Sequence, residues 1–113
     1  MIKGIGTDIV ELDKIKQYSD KKYFLDKIFT KKEIDYAKNN IAHLATTFAA
    51  KEAIFKALGK GFFDPMEIEI KRKKSGKPCA IVSGKMKKKL KSRKIMLSLS
   101  YTDNYAVAFA MLK

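Results

Sequence analysis

The spacing of apolar residues predicts several short elements in the first third of the chain. Residues 1–10 are rich in Ile and Val, which is typical of a strand. Apolar residues then recur at helical spacing over 11–28, where Ser19 and Asp20 indicate a break. Thr30 followed by Glu33 has the spacing of a capping box. This pair predicts that a short helix begins directly after Thr30.

The longest helical pattern covers residues 41–58, and Gly59 and Gly61 supply its stop signal. The remaining patterns predict, in order, strands at 66–73 and 79–83 around a turn at 75–78, a short basic helix at 84–93, and strands at 94–101 and 105–112. The order β-α-α-α-β-β-α-β-β indicates one α+β domain spanning residues 1–113, with an antiparallel sheet packed against the long helix.

Positive charge is concentrated in one stretch of the sequence. The chain has 25 Lys and Arg against 12 Asp and Glu, which gives a formal net charge of +13. Residues 71–94 contain twelve of the basic residues and no acidic residue. Such a block is typical of a protein with a polyanionic partner: nucleic acid, an acidic membrane, an acidic protein or a phosphate-rich ligand. The alternative is the solvated surface of a lysine-rich protein.

The composition favours a cytoplasmic protein with no membrane span. No apolar run approaches the roughly 20 residues that cross a bilayer. The first residues carry acids and glycines and lack the basic and apolar regions of a signal peptide. Cys79 is the only cysteine, so no disulfide can form within the chain, and we expect it to be a small core residue.

Two acidic residues are candidates for chemistry. In the first strand, period-2 alternation places Asp8 on the face that also carries Gly4 and Gly6, which leave space around its carboxylate. In the long helix, Glu52 and Lys56 lie one turn apart on one stripe. A shared Mg²⁺ would satisfy both carboxylates, with Lys56 contacting a phosphate on the same ion. The alternative is a solvated Glu52–Lys56 pair, with Asp8 capping a turn.

Two longer motifs resemble a known family. GIGTDIVEL (4–12) and FAAKEAIFKALGKG (48–61) resemble the signature motifs of holo-acyl-carrier-protein synthases, which belong to the 4′-phosphopantetheinyl transferase superfamily. Further segments are similar to the family in the same order: FTKKEIDYA (29–37), SGKP (75–78) and LSLSYTDNYAVAFA (97–110). The resemblance therefore extends over almost the whole chain.

The resemblance implies the 4′-phosphopantetheinyl transferase fold and transfer of the phosphopantetheine arm of coenzyme A to a serine of apo-acyl carrier protein. It implies that Asp8 and Glu52 bind Mg²⁺, that Lys56 holds the diphosphate, and that Asp35 orients the water or base that takes the serine proton. It also implies a homotrimer with active sites at subunit boundaries. The implied coenzyme A contacts are Lys56, Gly59, Gly61, Tyr101 and Thr102.

The family also suggests where the acidic carrier protein docks. The helix after the first motif presents basic residues suited to an acidic partner: Lys14, Lys16, Lys21 and Lys22. The chain departs from the family at Thr47, where an arginine is common, and at Tyr101, where a histidine is usual. Two other interpretations stay open at this point: a regulatory subunit that has lost activity, and a small basic RNA-binding protein, which would give no particular use to Asp8 and Glu52. We favour the transferase and expect no nucleic-acid partner.

Overall fold

A computed structural model describes all residues, 1–113. Its elements are β1 (Gly4–Glu11), α1 (Leu12–Ser19), α2 (Lys22–Ile28), α3 (Lys31–Ala37), α4 (Ile41–Leu58), a 3₁₀ turn (Pro65–Glu67), β2 (Ile68–Arg72), β3 (Pro78–Val82), α5 (Gly84–Leu90), β4 (Ile95–Tyr101) and β5 (Tyr105–Leu112). The predicted α+β class and element order are confirmed. The predicted break in 11–28 separates α1 from α2.

The strands form two antiparallel sheets. One has three strands in the order β1-β5-β4, and the other is the predicted β2-β3 hairpin. In the larger sheet Asp8 pairs with Ala108, which in turn pairs with Leu99. Helix α4 packs across one face of this sheet, and its buried residues join those of β5, β2 and α5 in the main hydrophobic core. A second core lies where α1, α2 and α3 pack on the first half of α4.

Local sequence explains where the helices begin and end. The Thr30 hydroxyl accepts a hydrogen bond from the Glu33 amide, while the Glu33 carboxylate accepts one from the Thr30 amide, so the predicted capping box is present. The Asn40 side chain caps α4 by accepting a hydrogen bond from the His43 amide, and Gly59 ends the helix with a φ of 94°. The predicted bounds 41–58 of α4 are confirmed.

Three predicted boundaries are wrong by a few residues. The first strand begins at Gly4 rather than at residue 1. The strand predicted from residue 66 begins at Ile68, because Asp64 caps the Met66 amide and Pro65 starts a 3₁₀ turn. Helix α5 ends at Leu90 rather than 93, since Lys91 has a φ of 61°. None of the helices combines the length and the apolar character needed to cross a membrane.

Candidate active site

Small residues bring β1 and α4 unusually close together. A Cβ atom at Gly6 would clash with the carbonyl oxygen of Ala53, and one at Gly4 with that of Ala57. The facing positions on β5 are alanines that are fully buried: Ala106, Ala108 and Ala110. This seam of glycine and alanine lets the helix backbone lie directly on the strand. Side chains of α4 at the edge of the seam therefore lie beside those of β1.

Asp8, Glu52 and Lys56 meet at this edge. Lys56 Nζ lies 3.0 Å from Asp8 Oδ1 and also donates to the carbonyl oxygen of Thr7 at 3.0 Å. The Lys56 side chain is 51% exposed, whereas that of Asp8 is 14% exposed. The ammonium is thus held against β1 while it remains open to a ligand from solvent. The predicted proximity of these side chains is a feature of the single chain and needs no second subunit.

The electrostatics of the pair of acids suit a divalent cation. Burial raises the pKa of Glu52, and the negative charge of Asp8 raises it further, while Lys56 opposes the shift. Asp8 and Glu52 therefore lie close enough for their negative charges to repel one another. No group of three or more Asp, Glu, His or Cys side chains is arranged to hold a metal ion by itself. Two carboxylates and open space fit Mg²⁺, which commonly takes one or two carboxylates and completes its shell with water and phosphate oxygens.

Lys51, the residue before Glu52, is buried and forms contacts that hold the fold together. Lys51 is 1% exposed, and its Nζ donates to Glu33 Oε1 and to the carbonyl oxygen of Ile28, both at 2.6 Å, and to that of Pro65 at 2.9 Å. Glu33 Oε2 accepts from the Ile70 amide at 2.7 Å. This buried ion pair fixes α3, α4 and β2 relative to one another. Sequence analysis did not single out Lys51, although Leu44, Lys51 and Leu58 are seven residues apart and share the buried face of α4.

A second polar cluster lies at the other end of α4. Arg72 on β2 donates to the hydroxyls of Thr46 (2.9 Å) and Thr47 (3.2 Å), and its guanidinium lies 5.5 Å from the centre of the Tyr36 ring. A cavity of about 200 Å³ here is lined by Tyr36, His43, Thr46, Arg72, Gly76, Pro78, Leu99 and Tyr101. Burial and then Arg72 lower the pKa of His43. The structure thus places a guanidinium against Thr47, a residue that sequence analysis had identified only as a departure from its family.

The other predicted site residues are distributed over the surface. Asp35 is exposed on α3 and forms no hydrogen bond or ion pair with Asp8, Glu52 or Lys56. The Thr102 hydroxyl accepts from the amides of Asn104 and Tyr105 in the β4–β5 turn. The basic residues proposed for docking are all exposed on or between α1 and α2: Lys14, Lys16, Lys21 and Lys22. Of the predicted site residues, the single chain therefore brings together Asp8, Glu52 and Lys56.

The sequence that forms this site matches a known protein family. Residues 4–110 match the model of the 4′-phosphopantetheinyl transferase superfamily. The chain belongs to this superfamily. A holo-[acyl-carrier-protein] synthase of Clostridium kluyveri is 44% identical over 122 aligned residues, covering 100% of this chain and 91% of the relative. The matched residues 4–110 include Asp8, Glu52, Lys56 and the rest of the predicted site.

Solved structures of the superfamily have the same fold. A holo-(acyl-carrier-protein) synthase from Bacillus anthracis, in complex with CoA (3′,5′-ADP), superposes with a TM-score of 0.85 at 35% identity, covering 99% of this chain and 96% of that one. The enzyme of Helicobacter pylori, in complex with coenzyme A, gives a TM-score of 0.88 at 26% identity and covers 96% and 99%. The fold that the resemblance implied is therefore confirmed as that of the superfamily.

Proposed function

We propose that this chain is a holo-[acyl-carrier-protein] synthase, which transfers 4′-phosphopantetheine from coenzyme A to a serine of apo-acyl carrier protein. The observation that carries the proposal is the meeting of Asp8, Glu52 and Lys56 at the β1–α4 seam, in a chain that belongs to the phosphopantetheinyl transferase superfamily. Two mutually repelling acids beside an exposed lysine are suited to a metal-bound diphosphate. Relatives with this name and neighbours bound to coenzyme A support the same substrate. The activity and the composition are consistent with a cytoplasmic enzyme.

The reaction needs positioning and charge stabilisation more than a reactive side chain. The serine oxygen forms a bond to the β-phosphorus of coenzyme A, the bond from that phosphorus to the bridging oxygen breaks, and adenosine 3′,5′-bisphosphate leaves. Asp8 and Glu52 would hold Mg²⁺, which supplies Lewis-acid stabilisation to the diphosphate when bound. Lys56 stabilises negative charge on the same phosphates. The proton of the serine passes to water or to a base, a role for which Asp35 stays a prediction.

A mass measurement tests the function. Incubation with an apo-acyl carrier protein, coenzyme A and MgCl₂ should add the mass of one phosphopantetheine group to the carrier. Omission of coenzyme A, or addition of excess EDTA, should leave the carrier mass unchanged. If the purified chain adds no mass to any apo-carrier in the presence of Mg²⁺, the proposal is wrong.

Carrier docking by the α1–α2 lysines is a further part of the proposal. Lys14 lies at the rim of an apolar cavity of about 270 Å³ that also contacts Ile15, Tyr18 and Phe48. Phe48 lies one helical turn before Glu52, so the cavity borders the acidic site. An acidic carrier that docks over this rim would bring its serine to the site. Electrostatic attraction would speed its association and weaken as salt rises.

Charge reversal of a docking lysine should selectively weaken the carrier. We expect Lys14→Glu to raise the KM for apo-carrier about tenfold at low salt, with less effect at 0.5 M NaCl, because salt screens the interaction. The KM for coenzyme A should change less than twofold. Lys73→Glu, at an exposed position beside the hairpin turn, is the matched control. Equal effects of the two substitutions would exclude a specific docking role for Lys14.

The apolar outer face of the larger sheet supports the proposed trimer. The face turned away from α4 exposes Ile5 (61%), Ile9 (63%) and Phe109 (43%), together with Met96, Tyr105 and Val107. An exposed sheet face of a monomer is usually polar, and a contiguous apolar one indicates a protein interface. The implied coenzyme A contacts are also divided: Lys56 and Tyr101 lie near opposite ends of α4, separated by about 15 Å of helix. A neighbouring subunit would complete each half.

Disruption of this face should separate the subunits. We expect Phe109→Glu to convert a trimer of about 38 kDa, three times the 12.8 kDa chain mass, into monomers and to abolish transfer. Size-exclusion chromatography with light scattering measures the mass. Ile81→Glu, on the exposed face of β3, is the control and should leave the trimer intact. A wild-type chain that is monomeric at micromolar concentration would refute the trimer.

A further inference from the structure

Lys89, a lysine of the basic stretch 71–94, forms hydrogen bonds to the loop that follows α4. Lys89, on α5, donates from Nζ to the carbonyl oxygens of Gly59 at 3.2 Å and Lys60 at 2.5 Å. The same ammonium lies 5.4 Å from the centre of the Phe55 ring. Its neighbours Lys87 and Lys88 are exposed and form no such bonds. Lys89 therefore fixes the direction of two consecutive peptide groups.

The two amides of these peptide groups consequently face the other way. All peptide bonds of the chain are trans, and a trans peptide holds its C=O and N–H on opposite edges. When the oxygens of Gly59 and Lys60 turn toward Lys89, the amides of Lys60 and Gly61 turn away from it. Neither amide has an acceptor within the chain, and both residues are exposed. Gly59 and Gly61 allow this conformation, with φ values of 94° and 117°.

The surroundings of these two amides are positive. Lys60 and Lys89 carry positive charge at this loop, while the acids that follow it in the sequence, Asp64 and Glu67, accept hydrogen bonds from the amides of Met66 and Met86. Lys85 lies 5.1 Å from the Phe62 ring, so a second lysine of α5 reaches the same loop. A cation bound to a carbonyl oxygen also polarises the peptide and makes its N–H a stronger donor. Paired, unoccupied amides in a positive field bind anions.

We propose that Lys89 is a positioning residue. It orients the loop at Gly59 and Gly61, which the family resemblance implies as coenzyme A contacts, so that the main-chain amides of Lys60 and Gly61 form a phosphate-binding element. This inference rests on the proposed function, because the phosphate groups would be those of coenzyme A. The loop begins three residues after Lys56, whose ammonium is already held at the acidic site. Lys89 acts through the loop, since two of the three N–H donors of its ammonium are bound to carbonyl oxygens of that loop. Within the basic stretch 71–94, Lys89 thereby has a specific function, which is to position this loop.

Kinetics of matched variants test the positioning role. Lys89→Met keeps the apolar stem over Phe55 but removes both hydrogen bonds, and it should raise the KM for coenzyme A about tenfold. The kcat and the KM for carrier should stay within about twofold of wild type, and Lys89→Arg should recover most of the loss. Lys88→Met is the control, with the same charge change on an exposed neighbour. A KM for coenzyme A in Lys89→Met that equals that of Lys88→Met would overturn the proposal.

Amide signals test the binding element without catalysis. Titration of the ¹⁵N-labelled wild-type chain with inorganic pyrophosphate, in the absence of metal, should shift the Lys60 and Gly61 amide signals. The shifts should saturate at higher pyrophosphate concentration in Lys89→Met than in Lys88→Met. Unchanged signals for both amides in the wild-type chain would refute the element. If these signals shift but the chain never modifies a carrier, the phosphate element stands and the proposed function fails.

Discussion

Replacement of Asp8 by asparagine, or of Glu52 by glutamine, should lower the rate of phosphopantetheine transfer by about a thousandfold or more. Each substitution keeps the size of the side chain and removes one of the two negative charges that would hold Mg²⁺ at the seam. Loss of a preorganised electrostatic group typically costs two to three orders of magnitude in kcat, and loss of a metal ligand affects every phosphate on that metal. The gain of carrier mass with time, at saturating coenzyme A and MgCl₂, measures the effect.

The control must separate lost chemistry from lost folding. Because burial and Asp8 raise the pKa of Glu52, the folded metal-free chain holds this proton to higher pH than the unfolded chain. The stability that protonated Glu52 contributes is present below its unfolded pKa and is lost as pH rises through its higher folded pKa, so the ionised carboxylate disfavours folding of the metal-free chain. Glu52→Gln should therefore unfold at a urea concentration no lower than wild type. Asp26→Asn, an exposed acid on α2, should retain full activity. Turnover in Glu52→Gln within tenfold of wild type would contradict the metal assignment.

The sequence predicts the two small-residue surfaces that form the seam, but residue spacing left open whether Asp8 and Glu52 meet there or whether Glu52 pairs with Lys56 on a solvated face. Gly4, Gly6 and Asp8 occupy alternate positions and therefore share one face of the strand. The alanines around Glu52 predict a helix with small side chains, which another element can approach closely. Both are local patterns, and close packing of a glycine strand on an alanine helix is the direct consequence. The bounds of α4 follow for the same reason, since its apolar spacing and Gly59 stop signal are contained within 19 residues.

Longer-range contacts of charged residues could not be predicted in this way. Arg72 and Lys89 belong to the basic stretch, where composition alone treats every lysine and arginine alike. Their partners, Thr47 and the carbonyl oxygens of Gly59 and Lys60, lie 25 to 30 residues earlier in the chain. Only the packing of β2 and α5 against α4 distinguishes Arg72 and Lys89 from the other basic residues of the stretch 71–94. Lys51 is different, because its spacing of seven residues from Leu44 and from Leu58 is a local signal of burial, from which the need for an acidic partner could have been predicted.

Lys51→Met should destabilise the fold by about 3–5 kcal/mol, the largest effect on stability that we expect from a single substitution. Methionine fills much of the volume of the lysine stem but leaves the Glu33 carboxylate buried without its cation. It also leaves the carbonyl oxygens of Ile28 and Pro65 without their donor. The midpoint of urea unfolding at constant protein concentration measures the change. Lys32→Met, an exposed lysine on α3, is the matched control and should alter stability by less than about 0.5 kcal/mol.

A second substitution distinguishes buried charge from lost packing. The Glu33 carboxylate accepts hydrogen bonds from the backbone amides of Thr30 and Ile70. Glu33→Gln removes the negative charge, while the amide oxygen of the glutamine can still accept one of these two hydrogen bonds. In the Lys51→Met background it should restore about 1–2 kcal/mol, because the uncompensated anion is gone. In the wild-type background the same substitution should destabilise, since Lys51 then loses its anion. A double variant as unstable as the sum of the two single variants would mean that the charges of Lys51 and Glu33 are not coupled, and that α3, α4 and β2 are held together by packing alone.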